Sequence, residues 1–192
     1  MSKPLSDIDK KLISILAHDG RASLTNIGKA LGITHVAVSK KLNKFIQDGY
    51  LKVQGLLNPK KFNLKLALVF AEVESPQDMQ RLIENFEDCP RMTFLATLMG
   101  GFNFVAMMIA EDLNVLESIT SICCIRRAKG IRRAEVMIIG ELVKPPYISL
   151  KPVIEKKYKK PPCKYVDCEK CPRYLSDKCL GCPAIEGYRG WL

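Results

Sequence analysis

Five of the chain's eight cysteines crowd into twenty residues, spaced Cys163-x4-Cys168-x2-Cys171-x7-Cys179-x2-Cys182. A Cys-x2-Cys pair makes a tight knuckle that aims two thiolates at one ion, and two such knuckles complete a tetrahedral set. The pattern points to a thiophilic metal at Cys168, Cys171, Cys179 and Cys182, with Cys163 as a fifth candidate ligand. Two metal groups fit. Zn2+ suits the symmetry of paired knuckles and gives a segment too short to build its own core a reason to fold. A 4Fe–4S cluster suits the extra cysteine, the prolines after Cys171 and Cys182, and the lack of any histidine ligand. Disulfides are the poorer reading for a chain of the reducing cytosol. Cys89, Cys123 and Cys124 read as small core residues.

A second set of residues suits different chemistry. Thr34, His35, Val36, Ser39, Lys40, Asn43 and Lys44 occupy one side of a helical repeat whose other side carries Val38, Leu42 and Phe45. Short side chains at a helix start, an amide for base edges and lysines for phosphates are what a helix needs to enter a DNA major groove. The charge distribution agrees. Residues 1–65 hold 12 Lys and Arg against 4 Asp and Glu, residues 66–150 hold 8 against 11, and residues 151–192 hold 10 against 5. Of the net +10, the largest share therefore lies on the head, and a basic face attracts a polyphosphate. Double-stranded DNA is the expected partner.

The elements that position these residues follow from periodicity and punctuation. Ser6, Asp7 and Asp9 start a first helix whose Ile8, Leu12, Ile15 and Leu16 recur at helical spacing, and Asp19-Gly20 ends it. A short helix from Ser23 carries Ile27 and Leu31, and Gly32 supplies a turn without Cβ. The third helix starts near Thr34 and runs to Gln47. Tyr50 to Leu57 alternates enough for a short strand or wing, closed by Asn58-Pro59. His18 ends the first helix with no special role.

The middle predicts strand Lys65–Val73, helix Gln77–Asp88, strands Met92–Leu98 and Phe102–Ala110 around Gly100-Gly101, helix Leu113–Cys124 and a strand region Ile131–Leu142. That order is a ferredoxin-like βαββαβ sandwich, so the fold class is α+β: a winged helix-turn-helix followed by a ferredoxin-like domain and a small cysteine-rich knuckle. Helices cover one face of such a sheet, and a second copy of the chain is the economical cover for the other. Arg126, Arg127, Arg132 and Arg133 flank Gly130 as the one local basic cluster. The expected divisions are residues 1–60, 61–146, a Lys/Pro-rich linker over 147–162 and the tail at 163–192. A composition of 47% hydrophobic and 26% charged residues excludes wholesale disorder. No apolar run approaches the roughly 20 residues of a membrane helix, and the first residues lack an apolar signal core, so the cytoplasm is the expected location.

The stretch from Leu5 to Lys52, with Asp9, Asp19-Gly20-Arg21, Gly49 and Asn58-Pro59-Lys60, resembles the Lrp/AsnC (leucine-responsive, feast/famine) transcription regulators. The middle is similar to that family's ligand-binding and oligomerising domain, so the likeness covers roughly residues 5 to 145. It implies an archaeal or bacterial DNA-binding regulator, not an enzyme, that forms homodimers and often octamers and responds to amino acids. It places the small-molecule effector at Gly100, Gly101, Phe102 and Asn103, where the family usually carries Gly-Asp-Tyr-Asp. Neither acidic residue is present here, so the site lacks the groups that would receive an amino acid's ammonium. The cysteine tail lies outside the family pattern and looks like the auxiliary-cluster tails of some radical enzymes. Some tetrapyrrole decarboxylases resemble the same two-part architecture, and an enzyme of that kind is the alternative. The middle has no histidine and no paired carboxylates to support it.

Overall fold

The structure is a computed structural model that describes residues 5–123, 125–150, 152–153, 158–163 and 166–192; Cys124 lies outside them. It divides into two compact units, residues 1–55 and 56–192. The cysteine tail therefore belongs to the same unit as the sheet.

The first unit is three helices: α1 (Asp7–His18), α2 (Leu24–Leu31) and α3 (His35–Gln47). Each has a side-chain cap. Ser6 accepts from the Asp9 N–H while the Asp9 carboxylate accepts from the Ser6 N–H, a complete capping box. Ser23 accepts from the Asn26 N–H, and Thr34 from the Ala37 N–H. One residue from each helix, Leu12, Ile27 and Val38, is fully buried, and Ile15, Leu16, Leu31 and Ile33 pack around them. Residues 50–56 carry no strand; pairing begins only at Leu57, which bridges Ile148. The expected wing is thus reduced to one bridge, because Gly55 and the exposed Val53 and Leu56 give this stretch no buried face to pin a ladder.

The second unit is built on β1 (Lys65–Val73), α4 (Pro76–Phe86), β2 (Met92–Thr97), β3 (Phe104–Ala110), α5 (Leu113–Ser121) and β4 (Ile131–Ile139). The four strands pair antiparallel in the order β2-β3-β1-β4. The register sets Val69 opposite both Ala106 and Val136. Alternation along β1 sends Ala67, Val69, Ala71 and Val73 to the helix side, where Leu82 and Phe86 of α4 and Leu116 and Ile119 of α5 cover them. α5 stops at Ser121, three residues short of the periodic expectation, and a 3-10 turn over Ile125–Arg127 follows.

The other face of the sheet is covered at one end by the chain itself. Ile148, Leu150 and Leu192 bury against Leu64, Leu66 and Ile109. Residues 148 and 150 fall in the stretch expected as linker, and their burial makes that part a packed strap. Phe94 and Met137, on the same face, stay about half exposed, at 49% and 51%. The last helix, α6 (Pro172–Leu175), is a single turn within the tail.

Candidate functional site

Two surfaces have the residues to act. The first is α3. Thr34, His35, Val36, Lys40, Asn43 and Lys44 are all exposed and Ser39 is half-buried, while Val38 of the same helix is fully buried. All seven residues expected to face DNA therefore share the outer side. Gly32 adopts φ +68°, the left-handed conformation that turns α2 into α3 without strain. Gly28 matters for space instead: a Cβ there would lie 2.7 Å from the Ile33 carbonyl oxygen. Its role was not legible from spacing, since only the folded turn brings that carbonyl over α2.

Lys41 differs from its neighbour Lys40. Its ammonium hydrogen-bonds the Asp9 carboxylate at 2.6 Å, tying α3 to the start of α1. That bond, with help from Ser6, holds the Asp9 carboxyl down to about 2. Lys29 and Thr25 of α2 share a shallow depression with Thr34 and His35. They add a cation and a hydroxyl beside the α3 start that the sequence reading did not single out.

At the sheet hairpin, Asn103 uses its side chain internally. Its amide donates to the Val73 carbonyl at 2.8 Å, and its carbonyl accepts from the Val73 N–H at 2.7 Å. It extends the β1 ladder, which a strand-forming residue could not do through its side chain. Phe102 packs on Phe70 and lies under the Arg133 guanidinium. Gly100 and Gly101 are exposed. Arg132 pairs with Glu72 and Glu74.

The second surface is internal. A cavity of about 30 Å³ is lined by all seven described cysteines. Four are the tail's Cys168, Cys171, Cys179 and Cys182, and Cys163 joins them. Cys89, after α4, packs against the core as expected, and both it and Cys123, after α5, also line this cavity. Burial pushes the Cys89 thiol up to about 11 and the Cys168 and Cys182 thiols up to about 12. A thiol hydrogen bond with Cys163, and then burial, raise Cys123 well above its ordinary value. Among the described residues, no three or more Cys, His, Asp or Glu side chains are drawn together as around an ion.

Arg91 closes one wall of the cavity. It is buried and pairs with the Glu111 carboxylate at 2.7 Å, and donates to the Gly181 carbonyl of the tail at 3.0 Å. Burial opposes its charge, but Glu111 more than offsets this, so its pKa is held above the ordinary value. Tyr188 donates to Glu111, and its hydroxyl accepts from the Leu192 N–H. On the other side Arg173 donates to Ser118 Oγ and pairs with Glu117 at 2.6 Å, stitching the tail to α5.

A model of the AsnC-type helix-turn-helix domain matches residues 5–45, and the head is a domain of that type. An HTH-type transcriptional regulator of Pyrococcus abyssi is 24% identical across 73% of this chain and 89% of its own. Among solved structures, AsnC of E. coli has a TM-score of 0.62 at 15% identity, covering 73% of this chain and 95% of its own. A Neisseria meningitidis transcriptional regulator in complex with L-Met has a TM-score of 0.64 at 15% identity, covering 78% and 97%. The homologues are regulators of the Lrp/AsnC kind, and the α+β fold is theirs. Among the described residues no helix is long and apolar enough to cross a membrane.

Proposed function

We propose that this chain is a sequence-specific, DNA-binding transcriptional regulator of the Lrp/AsnC type. The observation that carries the reading is the outer face of α3, which offers a hydroxyl, an amide and two lysines on a rigid three-helix unit. The N-terminal turn of α3, with Thr34, His35 and Val36, meets base edges; Ser39 and Asn43 offer hydrogen bonds, and Lys40 and Lys44 reach phosphates. Lys29 supplies a further phosphate contact.

The sheet unit is the assembly and effector module. Half-exposed Phe94 and Met137 support a homodimer through that face, from which an octamer can be built. The hairpin at Gly100 to Asn103 is the place for a small-molecule effector. With the Asn103 side chain committed to Val73, contacts there come from backbone groups and the Phe102 ring. The tail is a metal module on Cys168, Cys171, Cys179 and Cys182, taking Zn2+ or, in the alternative, a 4Fe–4S cluster. The protein works in the cytoplasm, as a regulator and not as an enzyme.

The test is duplex binding across a salt series. Binding should weaken steeply with salt, and the combined Lys40→Ala, Asn43→Ala and Lys44→Ala variant should lower the log–log salt slope by about 2 and abolish site preference. A variant that binds its operator as the parent does would remove α3 from the interface.

A further inference from the structure

The seven cysteines lining the cavity divide by their place in the chain, four from the tail's paired knuckles and three, Cys89, Cys123 and Cys163, from before them. Cys168 interacts with Cys171, Cys179 and Cys182, the tail's own quartet. Cys89, Cys123 and Cys163 form a second group, with a thiol hydrogen bond between Cys123 and Cys163. Cys182 belongs to both, since it also interacts with Cys89 and Cys163. Residues from three separate parts of the chain thus line one cavity.

A second observation points to a ligand there. Arg91, which is 4% exposed and lines this cavity, has the one buried side-chain polar atom without a hydrogen-bond partner among the described residues, its Nε. An unpaired buried N–H costs free energy unless something accepts from it. A thiolate sulfur is the acceptor this cavity can offer once its thiols lose their protons.

We propose that Cys89, Cys123 and Cys163 are a second thiolate site, joined to the tail quartet by Cys182 as a bridging ligand, so that the cavity holds two divalent metal ions. The count fits: seven thiolates with one shared fill two tetrahedra. Loading draws the thiols in by rotation about their Cα–Cβ bonds and releases their protons to solvent. Arg91 then donates Nε–H to a thiolate and offsets part of the negative charge that seven thiolates bring to two dications. The inference rests on the tail being a metal module, and extends its ligand set into the sheet domain.

The experiment uses the full chain purified without oxygen, loaded with Zn2+ alone. The metal content expected is about 2 zinc per chain, falling to about 1 in the Cys89→Ser, Cys123→Ser double variant. Co2+ in place of Zn2+ gives thiolate charge-transfer absorption that decreases in the same variant. Alkylation mapped cysteine by cysteine on the parent protein needs no variant to fold. Cys89 and Cys123 should become reactive on chelation together with Cys168 and Cys171. One zinc per chain, or a 4Fe–4S cluster, with Cys89 and Cys123 reacting alike before and after chelation, overturns the second site and leaves the tail module standing. No bound metal at all overturns both.

Discussion

The head and the region around the tail are stabilised by opposite means. The head has a core of three fully buried aliphatic residues, one per helix, and its polar groups do their work at the rim as caps. Around the tail, a guanidinium, a carboxylate and a set of thiols are buried together. A core of aliphatic side chains weakens gradually as it is trimmed. A buried polar assembly tolerates little, because each partner removed strands another in a medium that cannot solvate it.

The largest expected effect follows from that difference. Arg91→Ala leaves Glu111 charged and buried, at a cost of about 3–5 kcal/mol in urea unfolding of the second unit. Arg91→Met combined with Glu111→Gln should recover most of it; if the double variant is as unstable as the single, the hydrogen bonds that Arg91 gives the Ile109 and Gly181 carbonyls are what matters. In the head, Leu12→Ala should cost about 3 kcal/mol, read as lost amide protection in α1 to α3 with the sheet unaffected. Thr34→Ala removes the α3 cap and should cost about 1 kcal/mol while Thr34→Ser restores it.

A further effect is a pH dependence. Asp9 is held at about 2 against an ordinary 3.8, so the folded head binds fewer protons than the unfolded one in that interval. Its contribution is complete above the ordinary value and is lost as pH falls from there towards 2. Hydrogen exchange in α1 should show this acid loosening in the parent, and Asp9→Asn should flatten it. An unchanged acid limb in that variant would mean Lys41 is held by something other than Asp9.

Local signals were legible in the sequence, and distant ones were not. Ser6 with Asp9, Ser23, Thr34 and Gly32 each act within a few residues, and each stands where its spacing put it. The sheet order also followed, since alternation and turn residues restrict it to few arrangements. The wing failed because alternation without a buried face does not make a strand. Cys89 and Cys123 were read as core because nothing in their own surroundings sets them apart. Their company is decided in part by a tail whose cysteines begin well beyond the end of β4, and by packing that no spacing encodes. Lys40 and Lys41 are adjacent and alike in type, yet one is exposed and the other paired to Asp9; only the third helix's rotation separates them.

The contact between Arg91 and Gly181 spans 90 residues of chain. During synthesis, α1 to α3 can complete their contacts soon after they leave the ribosome, since all of these are local. The sheet's β3 and β1 can also pair early. Arg91 and Glu111, however, stay wetted until the segment around Gly181 has been made and packs over them. The nascent second unit therefore passes through a state with its polar assembly open to solvent and its thiols accessible, before the tail covers them.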